Sequence, residues 1–140
     1  MERSDDCIFC RIVAGDAGCA RVHEDAETLT FMDIFPVSRG HTLVITKAHF
    51  ANVFEASGEA LAAVARRARV AARALREELR PDGLGVFQLN GAAAGQTVFH
   101  YHMHLIPRRE GEPFTLHGRE RADDGELEAL ARRLAARLEE

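Results

Sequence analysis

The run His100-Tyr101-His102-Met103-His104-Leu105-Ile106 constrains this chain more than any other. Strict alternation is the signature of a β-strand, whose successive side chains point to opposite faces. As a strand over roughly 98–107, it puts His100, His102 and His104 on one face. Tyr101, Met103 and Leu105 lie on the other and pack against a helix. Same-face neighbours stand about 7 Å apart along a strand, so the three imidazoles span about 13 Å and face a cleft or solvent. The segment before it, Gly91-Ala92-Ala93-Ala94-Gly95-Gln96-Thr97, is small and glycine-bounded. It lacks the lysine of a Walker loop, but its backbone N–H groups can approach an anion closely.

The rest of the chain supplies elements to bury that strand. A short helix over about 6–14 closes at Gly15. A lead-in over 20–24 precedes a half-buried strand at 28–32, and a β-branched run over 41–46 reads as a central strand. A long helix over about 58–80 is capped by Ser57, with Leu61, Val64, Ala65, Ala68, Ala72, Leu75 and Leu79 on its apolar face. Arg66, Arg69, Arg73 and Arg76 lie mostly away from that face and read as solvated. A further strand is expected over 85–90. Residues 108–122 read as loop, and Asp123 with Glu126 caps a last helix striped by Leu127, Leu130, Leu134 and Leu138. Strands joined by short turns around one long helix indicate an α+β fold with an antiparallel sheet.

The 140 residues suit one domain, with 46% hydrophobic and 29% charged content typical of a globular chain. The net charge of −4 argues against a general nucleic-acid or anionic-membrane binder. No apolar run is long enough to span a membrane, and the acidic start lacks a signal-peptide core, so a cytoplasmic location is expected. Cys7-x-x-Cys10 suggests a metal site, a redox pair or two reduced core thiols. Cys19, His23 and His117 fit no motif.

The segment Gly95–Ile106 resembles the signature of the histidine triad (HIT) nucleotide hydrolases and transferases, His-φ-His-φ-His-φ-φ with φ apolar. The stretches 7–15, 31–36 and 40–49 carry the same resemblance, which extends over about residues 5–109. Residues 110–140 form a C-terminal loop and helix extension that it does not cover. It implies a five-stranded antiparallel sheet, with one long and one or two shorter helices, paired as a homodimer. It further implies hydrolysis of a nucleoside phosphoramidate or dinucleoside polyphosphate through a covalent nucleotidyl-histidine on His102. His104, Thr97 and Gln96 would contact the phosphate, and His104 or Thr97 would assist the leaving group. The carbonyl of His100 would set the tautomer of His102. Asp33 matches a ribose-binding carboxylate, Asn90 a phosphate-side contact, and Gly95 belongs to the phosphate loop. His41 matches a histidine close to the triad.

Chains with this N-terminal cysteine pair resemble a zinc-containing branch. There, Cys7, Cys10, His49 and His100 would hold a structural Zn²⁺ in a closed tetrahedron. The expected partner is a purine nucleotide or dinucleotide, not nucleic acid or membrane. Two other readings remain open on the residues: a nucleotide-binding or adaptor protein with little turnover, and a metalloenzyme ligated by His100, His102 and His104.

Overall fold

Alternation and helical periodicity are resolved into one sheet with helices on both faces. The computed structural model describes residues 6–113 and 115–139. The elements are α1 (Ile8–Ala14), β1 (Arg21–Glu24), β2 (Thr28–Met32), β3 (Thr42–Thr46), α2 (Gly58–Leu79), β4 (Gly83–Phe87), β5 (His102–Arg108) and α3 (Asp124–Ala135). The strands pair antiparallel in the order β1-β2-β3-β5-β4. This is the five-stranded antiparallel sheet expected, with three helices. No helix among the described residues is long and apolar enough to cross a membrane.

The caps follow the sequence. Ser57 Oγ accepts from the Ala60 N–H and Asp123 Oδ2 from the Glu126 N–H, satisfying donors that the first helical turns leave open. Gly15 closes α1 at φ 85°. At the end of α2 the guanidinium of Arg109 donates to the carbonyls of Leu79 (2.6 Å) and Arg80 (3.1 Å), which have no helical partner.

One core lies between the sheet and α2 with α3, containing Met32, Val44, Val64, Leu75, Tyr101, Leu105, Leu130 and Leu134. A second lies on the opposite face, where Phe9 and Ile12 of α1 meet Leu29, Phe31, Leu43 and Ile45. Covering both faces explains one departure from expectation: β2 is buried at all five residues, not half buried. A second concerns α2, whose Ala65 is exposed while Ala63, Val70, Ala71 and Ala74 are buried. The buried arc is rotated because α3 packs along one flank of α2, where Glu78 takes Arg133 (2.9 Å) and Arg137 (2.8 Å). Arg66, Arg69, Arg73 and Arg76 are exposed, as expected.

Strand β4 begins and ends earlier than expected, and β5 starts at His102, so His100 lies outside the ladder. The backbone turns there. The Tyr101 N–H donates to the Phe50 carbonyl (2.7 Å), drawing the chain towards the segment after β3. His102 then pairs with Ile45, and His104 with Leu43. Both histidines therefore sit on the α1 side of the sheet, and Tyr101 and Leu105 on the α2 side.

Gly40 precedes β3 at φ 96°, and a Cβ there would overlap Leu79 Cδ1 and lie 3.1 Å from Pro107 Cγ. Gly40→Ala will destabilise the fold by about 1–3 kcal/mol, through left-handed strain and crowding, read as a lower midpoint in urea unfolding.

Candidate active site and metal centre

Helix α1 covers only part of its sheet face. The remainder is a cavity of about 470 Å³, within the range of small-molecule sites. Its apolar walls include Ile8, Phe9, Ile12, Phe31, Leu43 and Val98, and its polar groups are Asp33, His41, Thr97, His102, His104 and His117. Cys19 also lies on its wall.

The hydrogen bonds around the imidazoles assign their protons. His102 Nδ1 lies 2.7 Å from the carbonyl of His100, which only accepts. Nδ1 therefore carries the hydrogen, and the lone pair of the neutral ring is on Nε2. His41 Nδ1 accepts from the Val37 N–H (3.0 Å), so its hydrogen is on Nε2. That hydrogen points at His104 Nδ1, 3.0 Å away, with Asp33 Oδ2 at 3.4 Å. His104 Nδ1 thus accepts, and its own hydrogen is on Nε2. The two triad histidines lining the cavity are complementary, one with a free lone pair on Nε2 and the other with a donor.

Their rings converge. The centroids of His102 and His104 are 4.8 Å apart, closer than strand spacing alone suggests. Phe87 stacks on His104 at 5.0 Å and Phe9 meets His102 edge-on at 5.1 Å. Burial pushes the pKa of His102 below the ordinary histidine value, and the nearby His117 adds to the effect. Burial drives His41 and His104 down to about 3, aided at His41 by the Arg108 guanidinium and at both by the neighbouring imidazoles, which disfavour a second positive charge. Asp33 moves the other way, raised by burial.

His100 turns its ring towards the cysteines, with Phe9 edge-on at 5.8 Å. Its Nε2–H donates to the Thr46 carbonyl at 2.6 Å, leaving the Nδ1 lone pair facing Cys7 Sγ (3.3 Å) and Cys10 Sγ (3.5 Å). His49 Nδ1 lies 3.2 Å from Cys10 Sγ. The four donor atoms lie within 4.8 Å of one another. Sulfur and nitrogen ligands at tetrahedral zinc stand roughly 3.5 Å apart, given metal–ligand bonds of about 2.3 and 2.05 Å. The donor set and its spacing fit Zn²⁺.

Gln96 and Asn90, expected in the phosphate site, spend their side-chain amides on the loop and its neighbours. Gln96 is buried, with Oε1 accepting from the Gly91 N–H (2.8 Å) and Nε2 donating to the carbonyls of Ala51 (2.6 Å) and Val98 (3.0 Å). Asn90 Oδ1 accepts from the Val53 N–H at 2.7 Å, and its amide pairs with Gln88. Both side chains hold the loop in shape. Gly95 supplies a turn at φ 103°. Thr97 and Asp33 line the cavity, as does His117, which no sequence pattern marks.

A profile of the HIT domain matches residues 15–111. The chain belongs to the HIT family. Protein hit of Bacillus subtilis is 44% identical over 142 residues, covering 99% of this chain and 98% of that protein. An adenosine 5'-monophosphoramidase of Schizosaccharomyces pombe is 42% identical over 106 residues, 76% of this chain and 77% of that one. Among solved structures, a Hit-like protein of Bartonella henselae superposes with TM-score 0.91 at 36% identity, covering 99% of this HIT chain and all of its own. A zinc-bound histidine triad family protein of Mycobacterium smegmatis gives 0.82 at 41% identity, covering 94% of each chain.

Burial of neutral rings has a measurable sign. The unfolded chain protonates histidine near pH 6.5, whereas His41 and His104 in the folded chain stay neutral far below that. Their contribution to stability is complete above about pH 6.5 and is lost as the pH falls towards the folded values, by up to about 1.4 kcal/mol per ring per pH unit. NMR titration will show both rings neutral at about pH 6, and thermal midpoints will fall between about pH 7 and 5. A titration midpoint of 6.5 or above for either ring contradicts the assignment.

Proposed function

We propose that this HIT domain is a nucleotide hydrolase that works through a covalent nucleotidyl-histidine on His102. The observation that carries the reading is the hydrogen bond from His102 Nδ1 to the His100 carbonyl, which leaves a lone pair on Nε2 inside the cavity. The kinship with a monophosphoramidase supports the reaction class. The substrate is a purine nucleoside phosphoramidate or a dinucleoside polyphosphate.

In the first step the lone pair on His102 Nε2 attacks the α-phosphorus. The P–Nε2 bond forms as the bond to the leaving nitrogen or oxygen breaks, and the leaving group takes that electron pair. His104 Nε2–H and the Thr97 hydroxyl are donors for the phosphoryl oxygens or the departing atom. Each of these neutral rings has a single hydrogen, so neither gives it up: the His41 Nε2–H keeps His104 Nδ1 as an acceptor and so holds the His104 Nε2–H towards the phosphate, and the proton that the departing atom takes up comes from solvent. Water then attacks phosphorus and gives a proton to solvent, the P–Nε2 bond breaks, and its electron pair returns to His102 as the nucleoside monophosphate leaves. Asp33 binds ribose hydroxyls, and the apolar walls take the base. Gly95 and Thr97 present the loop to the phosphate, while Gln96 and Asn90 hold that loop rigid.

Cys7, Cys10, His49 and His100 would hold a structural zinc. With all four positions filled by protein, its contribution is a cross-link between α1, the segment after β3 and the start of β5. We also propose that the domain pairs as a homodimer. In the single chain β4 is an edge of the sheet, and its Val86 is half exposed.

Rapid mixing with an adenosine phosphoramidate, quenched at high pH, will give a transient adenylyl adduct by intact mass. His102→Ala will form none and will lose turnover by at least about 1,000-fold with its fold retained. Steady turnover in that variant rejects the nucleophile. Bound nucleotide with no product from either substrate class favours a binding protein.

Cys10→Ser will weaken zinc retention at least about tenfold, measured by native mass spectrometry under chelator competition, and will lower the thermal midpoint. Unchanged metal content rejects the ligand set.

A further inference from the structure

The mouth of the cavity is completed by Leu116, His117 and Gly118, beyond the residues that the family profile matches. This segment is held on both sides of His117. Before it, Arg108 Nη2 donates to the Thr115 carbonyl at 2.6 Å. After it, Gly118 lies so close to the Phe35 and Pro36 carbonyls that a Cβ would overlap them, and the Ala122 N–H donates to the Ile34 carbonyl at 2.8 Å. His117 itself is exposed and makes no hydrogen bond among the described residues. Its Nε2 lies 3.7 Å from the place a Cβ on Gly95 would occupy, so the ring stands over the small-residue loop. It is close enough to Asp33, His41, His102 and His104 to perturb each of them electrostatically.

We propose that His117 binds the anionic group attached to the attacked phosphate, and so favours substrates with a second phosphate over those with a neutral amine. The inference rests on the nucleotide-hydrolase reading. A phosphorus within reach of His102 Nε2 must lie on the cavity floor with His104 and Thr97. The group beyond it leaves through the mouth, where His117 is an exposed imidazole with no hydrogen-bond partner among the described residues. A second phosphate offers it oxygen acceptors and charge, which strengthen a hydrogen bond. An amine leaving group offers neither. No covalent bond to His117 forms or breaks.

The test is calorimetric titration of the full zinc-loaded chain with AMP and with adenosine 5'-(α,β-methylene)diphosphate, which resists hydrolysis. The wild-type protein will bind the diphosphate more tightly. His117→Ala will weaken diphosphate binding about tenfold and leave AMP within about twofold, and His117→Lys will restore the preference. A structural role for the loop would lower both affinities together. Equal loss for both ligands, no loss for either, or no wild-type preference overturns the assignment of His117. Failure of the wild-type protein to bind either nucleotide overturns the hydrolase reading itself, and this inference with it.

Discussion

The backbone decides which nitrogen of each buried imidazole holds a proton, and the chemistry of the site depends on that. Carbonyls of His100 and Thr46 take the hydrogens of His102 and His100, and the Val37 amide directs the hydrogen of His41 to His104. Four rings that could each exist as two tautomers are held in one combination. That combination leaves a lone pair facing the cysteines at His100, a lone pair in the cavity at His102 and a donor at His104. A sheet is suited to this task because its peptide groups are rigid and already aligned.

The departure of His100 from the ladder separates two functions that one continuous strand would have merged. Had β5 run on through His100 with its ring on the cavity face, three imidazoles would have formed a row. The turn at Tyr101 sends the His100 ring to the cysteines, while its carbonyl stays beside His102. One residue therefore meets the cysteines with its ring and His102 with its carbonyl. A metal held at the cysteine corner would fix the strand start and, with it, the acceptor for the His102 proton.

Much of the frame was legible in the sequence. The bounds of β2, the Ser57 and Asp123 caps and the Gly15 terminus came from local chemistry that tertiary contacts did not override. The packing of Tyr101 and Leu105 against α2 followed from period two alone. The buried arc of α2 was misplaced because one helix cannot reveal that α3 would cover its flank. The start of β5 was missed because the pull on Tyr101 comes from the Phe50 carbonyl, far away in sequence. Gln96 and Asn90 carried polarity but no sign that loop amides and carbonyls would use it. His117 was illegible for the same reason as the β5 start: the groups that it and the adjoining Gly118 meet, at Gly95 and at Phe35, are distant along the chain.

The tight seating of Gly118 on the Phe35–Pro36 backbone also bears on how such a protein can diversify. The cavity floor is built on β3 and β5, strands of a sheet packed on both faces, so change there is expensive. The mouth is built from a separate loop after β5, anchored at a few points and otherwise free to vary between them. Exchange of one or two side chains on that loop alters what the cavity admits and leaves the histidine geometry untouched. Selection can act on substrate choice in one segment and on reactivity in another.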